Sequence, residues 1–198
     1  MFITLEGVDG SGKTTLMNNI AKWLLQKNYQ VHTTFEPTNW VRKIIFEQDL
    51  EPQTEALLFS ADRIEHVQKE IYPKVQEGNI VLCDRFQLST FAYQYVARES
   101  INLEEYTTLE HLGETCIPDI TFFIDITPEV CLSRAVEQTK FEKAGLDFQK
   151  KVYQGYKQGV HWYNTLDNYK IITLDGNGSP DFIFGQAITH LKNHLNFQ

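Results

Sequence analysis

The sequence predicts an α/β fold in which a five-stranded parallel sheet is covered by helices on both faces. Five short apolar runs recur along the 198 residues, and stretches with helical periodicity separate one run from the next. Strands and helices that alternate in this order are typical of right-handed βαβ units, whose strands lie parallel in one sheet. The sequence contains no internal repeat, low-complexity segment or linker. We therefore expect a single domain over residues 1–198.

The five predicted strands are short, and apolar residues dominate each of them. They are FITLE (2–6), QVHTTF (30–35), NIVLCD (79–84), DITFFID (119–125) and KIITLD (170–175). Apolar runs of this length, bounded by polar residues, are typical of strands that are buried on both faces. A parallel sheet between two helical layers needs strands of this kind.

The first and last helices are predicted together with their ends. Leu16, Ile20 and Leu24 repeat every four residues, which predicts a helix that ends near Lys27-Asn28. The last helix is predicted to begin at Ser179-Pro180, because a serine cap followed by proline is a common helix start. Its apolar face is predicted to consist of Phe184, Ala187, Ile188, Leu191 and Leu195.

The charge and the cysteines limit the partners and the compartment that we expect. The formal net charge is −8, so nonspecific attraction to nucleic acid or to an anionic membrane is not expected. Cys83, Cys116 and Cys131 form no CxxC motif, which is typical of buried thiols in a reducing compartment. No basic and apolar leader precedes Ile3, and no apolar run approaches the ~18 residues of a membrane span. We expect a soluble cytoplasmic protein.

The segment GVDGSGKTT (7–15) predicts a phosphate-binding loop. It matches the Walker A pattern GxxxxGK[ST] and stands between a predicted strand and a predicted helix. Its glycines let successive backbone N–H groups point inward, toward a nucleoside triphosphate, and the helix adds the positive end of its dipole. We expect Lys13 to reach the β- and γ-phosphates and Thr14 to bind Mg²⁺. The residues predicted to bind the triphosphate are Gly7, Val8, Asp9, Gly10, Ser11, Gly12, Lys13, Thr14 and Thr15.

Asp84 and Arg85 follow the third predicted strand and indicate which class of P-loop protein this is. An NKxD-type guanine reader, which a GTPase would normally carry, is not present, and the third strand lacks the paired acids of a motor ATPase. An aspartate at the carboxyl end of this strand can hold a Mg²⁺-bound water, and the neighbouring arginine can bind a second phosphate. A structural ion pair at the strand end is the alternative interpretation.

Six segments in order identify a closer resemblance. They are GVDGSGKTT, FEPTNWVRKII, EALLFSADR, VLCDRFQLSTFAYQ, PDITFFIDITPEV and KFEKAGLDFQKKVYQGY. Over about residues 2–157 the chain resembles the bacterial thymidylate kinases. The resemblance implies a three-layer P-loop kinase fold with a short lid at about residues 134–148. It also implies that a homodimer uses ATP and Mg²⁺ to phosphorylate dTMP to dTDP, for dTTP synthesis.

The resemblance implies a set of residues that bind the nucleoside of the acceptor. Phe59 and Arg63 are four residues apart and therefore share one face of a helix, from which a ring can stack on a base while a guanidinium donates to its edge. A core phenylalanine beside an Asp62–Arg63 surface pair is the alternative. The further residues implied are Thr90 and Gln94 at the thymine, Tyr93 against the sugar C2′, where it disfavours ribose, and Asp9 at the 3′-OH.

Other residues are implied to act on the phosphates. Arg42 and Arg85 resemble the pair of arginines that bind the acceptor phosphate, so Arg85 joins Lys13, Asp84 and Lys140 as a predicted catalytic residue. Glu36 is expected either to position Mg²⁺ or its waters, or to orient Arg85 by a salt bridge. In the lid, Arg134 resembles the arginine that packs against adenine. Lys140 is expected to fold over the transferring phosphoryl group, and Glu142 either to orient that lysine or to reach a metal water.

The chain departs from the family pattern at two places. Many bacterial members read TREPGG where this chain has Thr34-Phe35-Glu36-Pro37-Thr38-Asn39, so Phe35 replaces an arginine and Thr-Asn replaces two glycines. The lid has Lys140 where relatives usually have an arginine, and lysine lacks the planar fork of arginine. These differences leave two alternatives open: a kinase for another pyrimidine monophosphate such as dUMP, and a noncatalytic P-loop module.

Overall fold

The computed structural model describes residues 1–112, 116–134 and 145–195. A five-stranded sheet with the strand order β2-β3-β1-β4-β5 lies at its centre, and every pair of neighbouring strands is parallel. The strands are β1 (Phe2–Glu6), β2 (Val31–Phe35), β3 (Ile80–Asp84), β4 (Ile120–Asp125) and β5 (Ile171–Asp175). The predicted three-layer α/β fold of P-loop kinases is confirmed, and each strand lies within one residue of its predicted position.

Helices connect the strands and pack around the sheet. They are α1 (Lys13–Gln26), α2 (Asn39–Glu47), α3 (Pro52–His66), α4 (Tyr72–Gln76), α5 (Gln87–Thr90), α6 (Leu103–Leu112), α7 (Pro128–Arg134), α8 (Leu146–Tyr163) and α9 (Pro180–His194). The π-helical segment Val67–Ile71 joins α3 to α4, and a second one, Phe91–Ala97, continues α5. Within the described ranges, no helix has both the length and the apolar character that a bilayer span requires.

The two faces of the sheet bury different groups because successive side chains of a strand alternate between them. On β1, Ile3 and Leu5 belong to the larger core cluster, which includes apolar residues of α1 and α9. Phe2 instead packs with Val67 and Ile71 of the π-helical segment. Each face of the central strand is therefore covered by its own helical layer, as the predicted architecture requires.

The predicted ends of the first and last helices agree with the structure. Helix α1 ends at Gln26. Helix α9 begins at Pro180, and the Ser179 hydroxyl accepts a hydrogen bond from the Phe182 amide at 3.2 Å. Ile183 is a further buried residue on the apolar face of α9, outside the predicted set. The extent of the single domain and the lid at about 134–148 stay predictions, because most of that lid lies outside the described residues.

The carboxyl ends of three neighbouring strands bring the predicted site residues to one edge of the sheet. The phosphate loop follows β1, Glu36 follows β2, and Asp84-Arg85 ends β3 and begins the next turn. Because β2, β3 and β1 are adjacent in the sheet, these three segments are neighbours in space. In open parallel sheets, ligands bind at this edge, where helices leave in opposite directions.

Candidate active site

The phosphate loop has the tight backbone that its glycines predict. Gly10 has φ +77°, and a Cβ atom there would lie 2.8 Å from the carbonyl oxygen of Cys131, so only glycine fits without strain. The Lys13 Nζ donates to the carbonyl oxygens of Gly7 and Val8, both at 3.0 Å. Burial, together with the charge of Arg85, lowers the pKa of Lys13. The loop thus holds a buried lysine whose charged form an incoming phosphate would stabilise.

Thr14 and Asp84 form a pair that suits Mg²⁺. The Thr14 hydroxyl donates to Asp84 Oδ2 at 2.7 Å, while the buried Asp84 Oδ1 has no hydrogen-bond partner in the described part of the chain. Mg²⁺ prefers a few protein oxygens completed by waters and phosphate oxygens, so a dedicated cage of carboxylates is not needed. A hydroxyl oxygen and a carboxylate oxygen beside the loop therefore fit the ion.

One cleft collects all nine residues that were predicted to bind the acceptor. It lies between the ends of β2 and β3 and the helices α2, α3 and α5. Its lining includes Asp9, Glu36, Arg42, Phe59, Arg63, Arg85, Thr90, Tyr93 and Gln94, together with Pro37, Phe46, Phe86 and Ser89. We call it the acceptor cleft. The resemblance therefore implied residues that the fold brings together from four separate segments of the chain.

A second cleft contains the phosphate loop and adjoins the first. Its lining is Asp9, Gly10, Gly12, Lys13, Thr14, Thr15, Met17, Phe35, Glu36, Arg42, Asp84 and Arg85. We call it the phosphate cleft. Four residues, Asp9, Glu36, Arg42 and Arg85, line both clefts. The two spaces thus meet at two arginines and two carboxylates.

Arg63 is buried between two glutamates at the inner end of the acceptor cleft. Its Nε donates to Glu36 at 3.0 Å, one terminal nitrogen donates to Glu110 at 2.7 Å, and the other donates to the Thr90 hydroxyl at 2.8 Å. Its side chain is 4% exposed, so the alternative of an Asp62–Arg63 surface pair is wrong. Burial raises the pKa of Glu110 to about 7, with Arg63 opposing the rise and Glu36 adding to it.

Glu36 pairs with residues other than the one expected. Its carboxylate lies 2.9 Å from an Arg63 terminal nitrogen and 3.2 Å from His66 Nδ1, whereas Arg85 forms its ion pair with Asp9. The expectation that Glu36 orients Arg85 by a salt bridge is therefore wrong. The cause is the position of Glu36, which follows the edge strand β2 and faces α3. The other expectation, that Glu36 acts on Mg²⁺, stays a prediction.

Arg85 is held by a buried network that sequence reasoning missed. A terminal nitrogen donates to the Tyr156 hydroxyl at 2.9 Å, and that hydroxyl also contacts Ser89 Oγ at 2.8 Å. Glu6, at the end of β1, accepts from Ser89 Oγ at 2.6 Å and from the Phe86 amide at 2.8 Å. Burial raises the pKa of Glu6 to about 7, against the effects of Ser89 and Arg85. The sequence does contain one signal for this network, because Glu6 is an acidic residue at the end of an apolar strand.

The predicted nucleoside-binding residues differ in how many of their polar atoms already form hydrogen bonds within the protein. Tyr93 is buried, and its hydroxyl lies 3.5 Å from Asp9 Oδ2 and from Arg85. Gln94 is 2% exposed, and its Nε2 has no hydrogen-bond partner in the described ranges. Phe59 is half-buried and lines the cleft with its ring. A buried donor without a partner, beside an apolar ring, suits a flat heterocycle with an acceptor on its edge.

A third cleft lies beside the phosphate loop, on the side away from Asp84. It is lined by Gly10, Ser11, Gly12, Thr15 and Leu16, and by Gly178, Ser179, Pro180 and Ile183 from the loop between β5 and α9. Residues after 157 carry no motif that predicts a site, because the turn between β5 and α9 has no charged group that would mark it. Its position makes it a candidate for the part of the nucleotide that extends beyond the phosphates.

Three predicted lid residues cannot be placed in this arrangement. Arg134 is the last residue of α7, but its side chain lies outside the described part of the structure. Lys140 and Glu142 also lie outside the described residues. The roles predicted for these residues stay predictions.

Comparison with known proteins bears directly on this site. A family model described as "Thymidylate kinase" matches residues 5–181. The chain belongs to the thymidylate kinase family. It is 36% identical to the thymidylate kinase of Finegoldia magna, with 97% of this chain and 98% of that protein covered. It is 38% identical to the thymidylate kinase of Synechococcus sp. (strain JA-3-3Ab), with coverage of 91% and 89%, and 35% identical to that of Clostridium novyi, with coverage of 96% and 98%.

The match to the thymidylate kinase family includes nearly all of the site. Residues 5–181 contain every residue that lines the acceptor and phosphate clefts, and the third cleft extends beyond this range only at Ile183. The relatives also cover almost the whole chain. The part of the chain that matches the thymidylate kinase family is therefore the part that forms the clefts.

Proposed function

We propose that the chain is a dTMP kinase, which transfers the γ-phosphoryl group of ATP to dTMP and yields dTDP for dTTP synthesis. The observation that carries the proposal is the meeting of the two clefts at Asp9, Glu36, Arg42 and Arg85. One cleft contains Lys13 and the loop amides, which suit a triphosphate, and the other contains a base-sized space. A phosphoryl group at the junction would face both substrates.

The reaction needs positive charge and alignment more than it needs a base. The attacking atom is an oxygen of the acceptor phosphate, which is already anionic, so the protein has no strong acid or base chemistry to perform. Lys13 and Arg85 supply fixed positive charge at the donor and at the junction, and Arg42 adds charge on the acceptor side. Holding two anions in line supplies much of the rate enhancement, because it replaces a bimolecular encounter.

Thr14 and Asp84 would hold Mg²⁺, Asp84 through a water molecule. When bound, the ion neutralises charge on the donor phosphates. Asp84 has a buried oxygen without a hydrogen-bond partner among the described residues, and the Thr14 hydroxyl would offer the ion a lone pair of its oxygen. Glu36 is proposed to act on the waters around the ion, in addition to its pairing with Arg63.

The acceptor base would be recognised by stacking and by two hydrogen-bonding side chains. Phe59 supplies the ring face, and Gln94 supplies an Nε2 donor that has no partner in the described ranges. Arg63 lines the cleft, but both glutamates and Thr90 already occupy most of its N–H groups. We therefore propose that Arg63 acts partly through Thr90 and the Glu36–Glu110 pair. Tyr93 is proposed to exclude a ribose hydroxyl.

The donor nucleoside would occupy the third cleft, between the phosphate loop and the loop before α9. Arg134 is proposed to pack against its adenine, and Lys140 to cover the transferring phosphoryl group. The apolar side chains of Leu16 and Ile183 in this cleft suit the flat face of a base.

A coupled ADP-release assay with dTMP, dUMP, UMP and CMP tests the proposal. We expect the highest kcat/KM with dTMP, and a smaller value with dUMP, because one methyl group contributes about 1–3 kcal/mol of discrimination. A Lys13→Ala variant should lose ADP release with every acceptor. If UMP or CMP proved the best acceptor, the chain would be another pyrimidine monophosphate kinase. If none released ADP while ATP still bound, a noncatalytic P-loop module would replace the proposal.

We also propose a cytoplasmic homodimer that uses one face of α3. Leu57 on this helix is 56% exposed. On the same face, Ala61 is exposed and Ile64 is half-buried. Placement in the cytoplasm is supported by the thiols of Cys83, Cys116 and Cys131, which are all free.

Sedimentation of two leucine variants tests the dimer. Leu57→Glu should convert the dimer to a monomer. Leu25→Glu is the matched control, because Leu25 on α1 is also 56% exposed but lies on another helix. A monomeric wild-type protein would contradict the proposal, and so would equal effects of the two substitutions.

A further inference from the structure

Arg42 differs from the other two arginines of the acceptor cleft in its surroundings. Arg63 and Arg85 both donate to carboxylates. Arg42 forms no ion pair with any described residue, and its guanidinium carbon instead lies 5.7 Å from the centre of the Phe35 ring and 5.1 Å from that of Phe46. The guanidinium of Arg42 thus lies within 6 Å of the centres of two aromatic rings.

The geometry of a guanidinium explains why this matters. An aromatic ring attracts a cation that lies over the face of the ring, at distances below about 6 Å between the cation and the ring centre. The five N–H donors of arginine point outward in the plane of the group, where they match two phosphate oxygens. A carboxylate partner would occupy those donors, whereas an aromatic ring leaves them available. Two rings can therefore fix the direction of Arg42 without using its hydrogen-bonding capacity.

The two rings reach Arg42 from different elements. Phe46 is four residues after Arg42 on α2, so both side chains lie on one face of the helix. Phe35 is the last residue of the edge strand β2 and is 38% exposed, beside the phosphate loop. Phe46 lines the acceptor cleft, Phe35 lines the phosphate cleft, and Arg42 lines both. Arg42 and the two rings are therefore at the junction where a phosphoryl group would be transferred.

We propose that Phe35 and Phe46 are positioning residues, which hold Arg42 through contacts with their rings, so that its N–H groups stay free for the acceptor phosphate. The inference rests on the proposed function, because it takes the acceptor phosphate to be the ligand of Arg42. It assigns a role to Phe35, which stands where many relatives have an arginine. A second cation at that position would repel Arg42, whereas the phenyl ring attracts it.

Binding of dTMP and thymidine, measured by titration calorimetry, tests the inference, because only dTMP carries the phosphate. Phe35→Leu keeps apolar bulk but removes the ring, so it should weaken dTMP binding about 2- to 5-fold, the range of an exposed cation–π contact. Thymidine binding should not change. Phe35→Tyr should restore dTMP affinity, and Tyr72→Leu, at an exposed aromatic outside the clefts, should have no effect.

Arg42→Gln separates this inference from the proposed function. It should weaken dTMP but not thymidine, and Phe35→Leu should then cause no further loss, because the two side chains act as one unit. If Arg42→Gln affected dTMP and thymidine equally, Arg42 would not bind the phosphate, and that part of the proposed function would fail. Suppose instead that Arg42→Gln selectively weakened the binding of dTMP. If Phe35→Leu then had no effect on dTMP binding, or weakened the binding of dTMP and thymidine equally, only the positioning role would be overturned.

Discussion

Replacing Arg63 by alanine is expected to destabilise the fold as well as weaken dTMP binding. The guanidinium neutralises Glu36 and Glu110, and all three side chains are at most 8% exposed. Removal of Arg63 would leave two buried carboxylates with no cation between them. For Glu110, which forms no other ion pair with a described residue, protonation is then the remaining way to lose its charge, and it becomes harder as the pH rises.

The magnitude follows from the burial of this triad. Removing one partner of a buried ion pair costs about 3–5 kcal/mol, because the remaining charge stays desolvated. A domain is stable by only about 5–15 kcal/mol, so the loss is a large part of the total. The loss should be smaller at pH 5 than at pH 8, since Glu110, with a pKa of about 7, is protonated at the lower pH.

Urea denaturation at both pH values measures the effect. Lys74→Ala is the control, because the Lys74–Glu77 pair has a similar N–O distance of 2.7 Å but is 38% and 55% exposed. We expect that control to lose less than about 1 kcal/mol. The double variant Arg63→Met/Glu110→Gln removes one of the two stranded charges and should recover at least about 1 kcal/mol of the loss.

Two results would refute this reasoning. One is a loss below about 1 kcal/mol for Arg63→Ala at pH 8, which would mean that water or rearrangement solvates the glutamates. The other is a loss that is independent of pH. A dTMP-binding assay of the double variant, rather than of Arg63→Ala, then measures the direct contribution of Arg63 to the nucleotide.

Three further predictions concern other parts of the molecule. Asp84→Asn should reduce kcat/KM about 100-fold and raise the Mg²⁺ concentration needed for half-maximal activity, because a carboxylate that helps to hold the ion is lost. Glu110→Gln should flatten the pH dependence of stability: folding raises the pKa of Glu110 from 4.5 to about 7, so wild type loses on the order of 3 kcal/mol relative to the variant as the pH rises through this interval. Gly155→Ala should destabilise by about 1–3 kcal/mol, since its Cβ would lie 2.7 Å from the carbonyl oxygen of Ala92. Gly185→Ala, also inside a helix but with nothing within 4 Å of its Cβ, should stabilise by about 0.5–1 kcal/mol.

Mg²⁺ titration of activity and urea denaturation check these three predictions. An unchanged Mg²⁺ requirement in Asp84→Asn would remove Asp84 from the metal site. Parallel stability curves for wild type and Glu110→Gln between pH 4.5 and 7.5 would contradict the raised pKa. Equal effects of alanine at Gly155 and Gly185 would contradict the close packing of α8 on the segment Phe91–Ala97.

Local sequence patterns were sufficient to predict the sheet, and the resemblance to a family supplied most of the residues of the acceptor cleft. Strand positions follow from apolar runs, because a strand buried on both faces tolerates few polar side chains. Pairs such as Phe59 and Arg63 were predictable because a helix places residues four apart on one face. These rules involve only residues that are close together along the chain, and the structure agrees with them.

Partners across the fold were not predictable in the same way. Glu110 is 47 residues from Arg63 along the chain, and Tyr156 is 71 residues from Arg85, yet both pairs are in hydrogen-bond contact. No periodicity links residues so far apart, since their contact depends on how α6 and α8 pack against other elements. The pairing of Glu36 with Arg63 was missed for the same reason.

The Asp9–Arg85 ion pair has a consequence for which anions the site admits. Without substrate, the arginine already has a resident counterion. A small anion such as sulfate would have to compete with Asp9 and would offer that carboxylate nothing in exchange. In the proposed function, a deoxynucleotide would bring its own replacement, because its sugar hydroxyl would donate to Asp9 while its phosphate would bind the guanidinium. Sulfate should therefore be a poor competitor of a deoxynucleotide, although two arginines lie where the two clefts meet.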